Sequence, residues 1–183
     1  MQRKVGVIVG SLRKGAYSRM MAHAVKELAP ASFTFTDIAI GDLPLYNQDL
    51  ETDSPPAAWT KFREQVGQTD AVLFVTPEYN RGMPGALKNA LDVGSRPWGK
   101  SVWKGRPTAV ASITPGALGA MSAHQQLRIT LSVLDSPALP GPEVYIPNAA
   151  SLFDEAGKLT NDDTKKILTT LVEGLDRWIG RFK

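Results

Sequence analysis

With 183 residues and a formal net charge of +3, the chain is long enough for one well-buried core and reads as one domain over residues 1–183. Its composition, 43% hydrophobic and 21% charged residues, is that of an ordinary soluble protein, and the positive excess favours anionic ligands such as phosphorylated cofactors. The absence of cysteine excludes disulfides, thiolate nucleophiles, cysteine-bound zinc and iron–sulfur clusters.

The first residues, Met1-Gln2-Arg3-Lys4, lead into only about six apolar positions, fewer than the ~7–15 of a signal-peptide core. A buried strand is expected over 5–9, then a polar loop, then a helix over 18–28 with Met21, Ala24, Val25 and Leu28 on one face. A second strand follows over 33–40. The irregular stretch 42–53 leads to Pro55-Pro56, which opens a helix to about Val66. The run 71–76 (Ala-Val-Leu-Phe-Val-Thr) is the most central strand, and Pro77 ends it. Pro84 suits the first turn of a helix ending near Gly94. Residues 95–105 form an exposed insertion whose tryptophans, Trp98 and Trp103, could anchor the loop, line a substrate mouth or serve a subunit contact. A fourth strand over 108–113, a glycine-bearing loop, a helix to about Leu134, a short strand over 143–146 and an amphipathic helix over 162–181 complete the pattern.

Strands apolar on both faces, alternating with helices, indicate an α/β fold with a parallel sheet covered on each side. No run approaches the ~20 residues of a membrane span, so no membrane association is expected and a cytoplasmic location follows. No basic stripe interleaved with aromatics marks a nucleic-acid surface. His23 and His124 are far apart without carboxylates at ligand spacing, so no metal centre is expected, and each is placed on a helix flank.

In such sheets ligands gather beyond the carboxyl ends of the strands. Three loops should meet there: 10–17, 77–83 and 114–119. In the first, Gly10-Ser11-Leu12-Arg13-Lys14-Gly15 separates a buried strand from a helix start, the order that a phosphate site at a helix N-terminus requires. Ser11 and Ser18 can donate from hydroxyls, and Arg13 offers a bidentate fork. The loop lacks the Lys-Ser/Thr of a Walker motif, having Ala16-Tyr17 instead, and it is no dinucleotide fingerprint. A monophosphate site or a plain strand–helix turn remains. In the second loop, Pro77-Glu78-Tyr79-Asn80, the tyrosine can lie flat on a planar ring and Asn80 can both donate and accept; a turn with a packed tyrosine is the other reading.

Taken together, Gly10-Ser11-Leu12-Arg13-Lys14-Gly15, Pro77-Glu78-Tyr79-Asn80 and the following Pro84-Gly85-Ala86-Leu87-Lys88-Asn89 make the chain resemble the NADPH-dependent FMN reductase family. Within it the similarity is to bacterial chromate/quinone reductases and azoreductase-like flavoproteins. The chain departs from the family pattern at Gly82, where a serine is common, and at Asp92-Val93, where Asp-Trp is common. The resemblance implies a flavodoxin-like, doubly wound five-stranded parallel sheet of order 2-1-3-4-5. It implies FMN held through its phosphate by Ser11, Arg13 and Ser18, with the amides of Leu12, Arg13, Lys14, Gly15, Ala16 and Tyr17. Pro77, Glu78, Tyr79 and Asn80 would flank the isoalloxazine ring, and Ser112, Thr114 and Gly116 would touch its other edge.

The activity implied is oxidation of NADPH or NADH with passage of two electrons, in ping-pong fashion, to quinones or to chromate, azo compounds, free flavin or ferric complexes. Flavin N5 carries the chemistry, so no catalytic side chain is assigned. A homodimer or homotetramer is implied as well, built on the helices near 84–94 and 121–134. A flavodoxin-like electron carrier is the alternative, although such carriers tend to be acidic. A phosphoryl-receiving domain is excluded, because Gly10-Ser11 and Thr76-Pro77 stand where acidic residues would be needed.

Overall fold

A computed structural model describes residues 2–182, so Met1 of the basic start and Lys183 lie outside the described residues. Strands β1 (Arg3–Val9), β2 (Phe33–Asp37), β3 (Ala71–Thr76), β4 (Thr108–Ile113) and β5 (Val144–Ile146) pair in parallel in the order β2-β1-β3-β4-β5. Between them run helices α1 (Tyr17–Leu28), α2 (Ala57–Gly67), α3 (Gly85–Gly94) and α4 (Met121–Val133), and α5 (Asp162–Ile179) follows the sheet. The flavodoxin-like doubly wound order expected from the sequence is the one observed.

Strand alternation divides the core into two layers. Val5 and Val7, Leu73 and Val75, and Ala111 and Ile113 face α1 and α5, where Met21, Val25, Leu168 and Leu171 meet them. Ile8, Val72, Phe74 and Val110 face the opposite layer with Trp59, Phe62, Leu87, Leu91, Leu127 and Leu131. Each of these fully buried aliphatic or aromatic side chains contributes about 1.5–3 kcal/mol of transfer free energy. Both faces of β3 and β4 are covered, which is why those runs lack polar alternation.

The end of β2 and the place of the 95–105 insertion differ from the simplest expectation. Strand β2 stops at Asp37, because its ladder with β1 ends there and the amide of Ile38 donates the final bond, 2.9 Å to the Val7 carbonyl. Ile38 and Ile40, assigned to the strand by apolar pattern, turn instead into the layer around Trp59 and Phe62. The 95–105 insertion precedes β4 and so lies at the amino edge of the sheet, away from any ligand mouth at the carboxyl edge. Its tryptophans part company. Trp103 is fully buried, donates from its indole nitrogen to the Leu91 carbonyl at 2.9 Å and packs on Phe62 and Phe74. Trp98 is 86% exposed, with the Arg96 guanidinium over its ring.

Candidate functional site

The carboxyl ends of β1, β3 and β4 bring the three loops to one edge, and close packing sets how the first leaves the sheet. A Cβ on Gly10 would lie 3.0 Å from Thr76 Oγ1 and 3.2 Å from a Leu87 methyl, so any larger residue would have to push β3 and α3 side chains aside here. Ser11 is buried, and its hydroxyl stands 3.2 Å from the Tyr79 hydroxyl, joining the first loop to the second. It also accepts from the Arg13 amide at 3.3 Å, which curls the loop outward. Leu12, Arg13, Lys14 and Gly15 are exposed; Ala16 is buried.

Helix α1 then starts without a cap. Its N-cap, Ala16, has no side chain that could accept from the first amides, and the first turn holds no acidic residue. The helix therefore presents about half a positive charge at its start. Ser18, on the inner face beside Met21 and Ala22, is 1% exposed, and its hydroxyl has no hydrogen-bond partner among the described residues. An unsatisfied buried hydroxyl is unfavourable by roughly 1–3 kcal/mol, so an uncapped helix start beside one is a site made for an anion. Tyr17 contributes only its backbone, since its ring stacks on Phe153 with centroids 6.1 Å apart.

The second loop is a tight hairpin. Tyr79 and Gly82 exchange two backbone hydrogen bonds, Tyr79 amide to Gly82 carbonyl at 3.0 Å and Gly82 amide to Tyr79 carbonyl at 2.9 Å. Between them Asn80 (φ 51) and Arg81 (φ 63) are both left-handed, as a type I′ turn demands. Tyr79 stands 47% exposed, a flat face open to a ligand. The Glu78 carboxylate turns toward α4 and accepts from the Ala123 amide at 3.1 Å, which leaves its backbone as the part that can face a ring. That bond caps a helix whose own N-cap, Ala120, is left-handed and supplies no side chain. From the same helix Gln126 clasps the hairpin, accepting from the Met83 amide and donating to the Arg81 carbonyl, each at 3.1 Å.

At the end of β4, Ser112 is a correction. It is fully buried, donating 2.7 Å to the Gly119 carbonyl, so it shapes the 114–119 loop rather than touching a ring. Thr114 is half-buried, but its amide donates to Ile146 and its carbonyl accepts from Ala149, which leaves neither backbone group for a ligand. Pro115, Gly116, Ala117 and Leu118 are the exposed part of this loop. His124 is the second correction. It is not on a helix flank but fully buried, edge-on to Tyr145 with ring centroids 4.5 Å apart; the Val144 backbone interacts with the ring, but neither ring nitrogen completes a hydrogen bond among the described residues. Burial and the neighbouring Arg128 hold its pKa down at about 4. His23 does lie on a flank, exposed beside Glu27.

The model of the NADPH-dependent FMN reductase family matches residues 3–151. The chain belongs to this family. Its FMN reductase relatives include a quinone reductase of Pseudomonas putida, 54% identical over 96% of this chain and 94% of that one. A 2-hydroxy-1,4-benzoquinone reductase of a Burkholderia species is 44% identical over 98% of this chain and 97% of its own length. Among solved structures, FerB, a flavoenzyme NAD(P)H:(acceptor) oxidoreductase from Paracoccus denitrificans, superposes with a TM-score of 0.92 at 37% identity, covering 98% of both chains. The cofactors of an FMN reductase are FMN and NAD(P)H, and the residues present fit the first of them: the orphaned Ser18 hydroxyl and the uncapped start of α1 suit its phosphate, and the open face of Tyr79 suits its ring. Among the described residues no cluster of metal ligands occurs, and no helix is long and apolar enough to cross a membrane.

Sequence reasoning missed Arg81, Gln126, Leu118 and Met121 at this edge. Asn80 two residues before a glycine carried a hint of the left-handed turn. Nothing local marks Gln126, whose partners Met83 and Arg81 lie 43 and 45 residues away.

Proposed function

We propose that the chain is an FMN-dependent NAD(P)H oxidoreductase that passes electron pairs to quinones, with chromate, azo compounds, free flavin and ferric complexes as further acceptors. The observation that carries the reading is the bare start of α1 with the unpartnered Ser18 hydroxyl, tied through Ser11 to an exposed tyrosine. The names of the relatives support quinone as the principal acceptor and speak against an electron carrier.

When bound, FMN supplies a carrier that takes two electrons as a hydride from NAD(P)H and returns them to an acceptor. The chain's own part is to bind and orient. The amides of Leu12 to Tyr17, the hydroxyls of Ser11 and Ser18 and the Arg13 guanidinium hold the phosphate, each charge-assisted bond being stronger than a neutral one. Pro77, Tyr79 and Asn80, fixed by the hairpin, hold the ring. Glu78 can face it only through its backbone, because its carboxylate keeps α4, and with it the third loop, in register. One open face serves donor and acceptor in turn, so initial-rate plots should give parallel lines, and intersecting lines would count against ping-pong turnover.

The test is anaerobic mixing of the purified protein with NADPH. Yellow protein that bleaches at once supports the reading, whereas bleaching only with an added reductase would return the chain to the carriers. In the same preparation Arg13→Ala should lower FMN affinity roughly tenfold or more. Arg13 is exposed, so the unfolding midpoint of the FMN-free variant should stay that of the parent. Unchanged flavin occupancy would remove the phosphate assignment.

We further assign a homodimer or homotetramer. Unpartnered apolar side chains at the far end of α4, Ile129 and Val133 at 66% and 82% exposure, support it. Sedimentation should show more than one copy; a fully active monomer would remove the assignment.

A further inference from the structure

Arg81 has no place in the phosphate loop, yet its backbone is held from three sides. A non-glycine residue in the left-handed region is strained by about 1–2 kcal/mol, and here two occur in succession, Asn80 and Arg81. The Tyr79–Gly82 bonds close the turn, and Gln126 grips both the Arg81 carbonyl and the Met83 amide. The side chain is the opposite case. It is 67% exposed, and its one ion-pair contact among the described residues is Glu78 Oε1 at 3.5 Å. The other oxygen of that carboxylate already faces the positive start of α4 through the Ala123 amide, so Glu78 answers two positive groups at once. The result is a rigid backbone that presents a cation to solvent.

The loops at the same carboxyl edge of the sheet also expose apolar surface. Leu12, Tyr79, Leu118 and Met121 are 54%, 47%, 52% and 47% exposed. They stand on three loops joined by the Ser11–Tyr79 contact, the Glu78–Ala123 bond and the bond from the Met121 amide to the Leu118 carbonyl. An apolar, partly aromatic rim with one fixed cation fits a flat ring that carries a negative charge.

We infer that Arg81 selects, among planar quinone acceptors, those bearing an anionic substituent. The inference rests on the quinone-reducing reading above and deepens it. NAD(P)H gives up a hydride, solvent gives one proton, and the acceptor's two carbonyl oxygens become hydroxyls; the anionic substituent is unchanged and only steers binding.

The experiment compares 1,4-naphthoquinone with its 2-sulfonate, whose charge is permanent, using FMN-loaded protein at low ionic strength. For Arg81→Gln, kcat/KM for the sulfonate should fall about tenfold, and the loss should shrink as salt is added. For the neutral quinone it should change less than about twofold, and Arg81→Lys should recover most of the sulfonate rate. The clasp by Gln126 is to the backbone carbonyl, so it survives both substitutions. Equal losses on both acceptors, or none, would overturn the inference while leaving quinone reduction intact. Slower reduction by NAD(P)H in the absence of acceptor would also overturn it, by assigning Arg81 to the dinucleotide. A parent protein that reduces neither quinone would sink the quinone reading itself.

Discussion

Gly119→Ala should destabilise the protein by about 3–4 kcal/mol, a left-handed penalty plus an overpacking penalty. Gly119 has φ +59, and a Cβ built on it would stand 2.6 Å from the Tyr145 carbonyl carbon, 2.7 Å from its Cβ and 2.9 Å from the Ile146 amide nitrogen. Two of the three opposing atoms are strand backbone, which has no rotamer with which to yield. The loop cannot move outward without loss either, because the Gly119 carbonyl receives the buried Ser112 hydroxyl and the neighbouring Thr114 is bonded on both sides to the β5 region. The exposed residues 116–118 should shift with it, so flavin retention should fall in parallel. Urea unfolding of the FMN-free form and flavin content per chain read the two effects separately. A variant within 1 kcal/mol of its parent, on the scale expected for surface changes, would show that the 114–119 loop is not pinned to β5.

Acid should weaken the fold through His124. Its pKa is held down at about 4 from an ordinary 6.5, chiefly because a fully buried ring resists charge. Below pH 6.5 the unfolded chain takes up a proton there while the folded chain does not, so stability falls as pH falls, and the extra loss ends once the folded group also protonates near pH 4. The loss attributable to this residue is about 2 kcal/mol at pH 5 and about 3 kcal/mol at pH 4. Above pH 6.5 it vanishes, since both states are then neutral. His124→Phe, which keeps an aromatic ring against Tyr145, should flatten the profile by that amount between pH 7 and pH 4. Parallel urea titrations for parent and variant across this range would show that the ring is protonated, or satisfied, in the folded state.

The two predictions concern the same corner. Gly119, Ser112 and His124 form a buried support under the third loop, and Glu78 and Gln126 join that support to the second loop through α4. The three loops are thus held from behind by polar side chains bonded to one another and to the backbone. Preorganisation of this kind lets a cofactor bind without ordering the loops at that moment.

The layered sheet could be read along the chain because its causes are local: unbroken apolar runs at 71–76 and 108–113, prolines at 77 and 84 that stop one element and start the next, and helical spacing around Met21 and Leu171. The loop between β1 and α1 was legible for the same reason, since strand, glycine, hydroxyls and helix start follow one another without interruption. What short-range pattern could not decide was which polar group meets which. Glu78 and Ala123, Gln126 and Arg81, and Ser11 and Tyr79 become neighbours only once the strand order 2-1-3-4-5 has brought their loops to one edge. Likewise a histidine on a helix reads the same whether it faces water or Tyr145, and an isoleucine after β2 reads as strand until its partner strand turns away. Side-chain chemistry is set by the residue type, but its partners and its dielectric surroundings are set by packing across the sheet, so those assignments belonged to the tertiary structure alone.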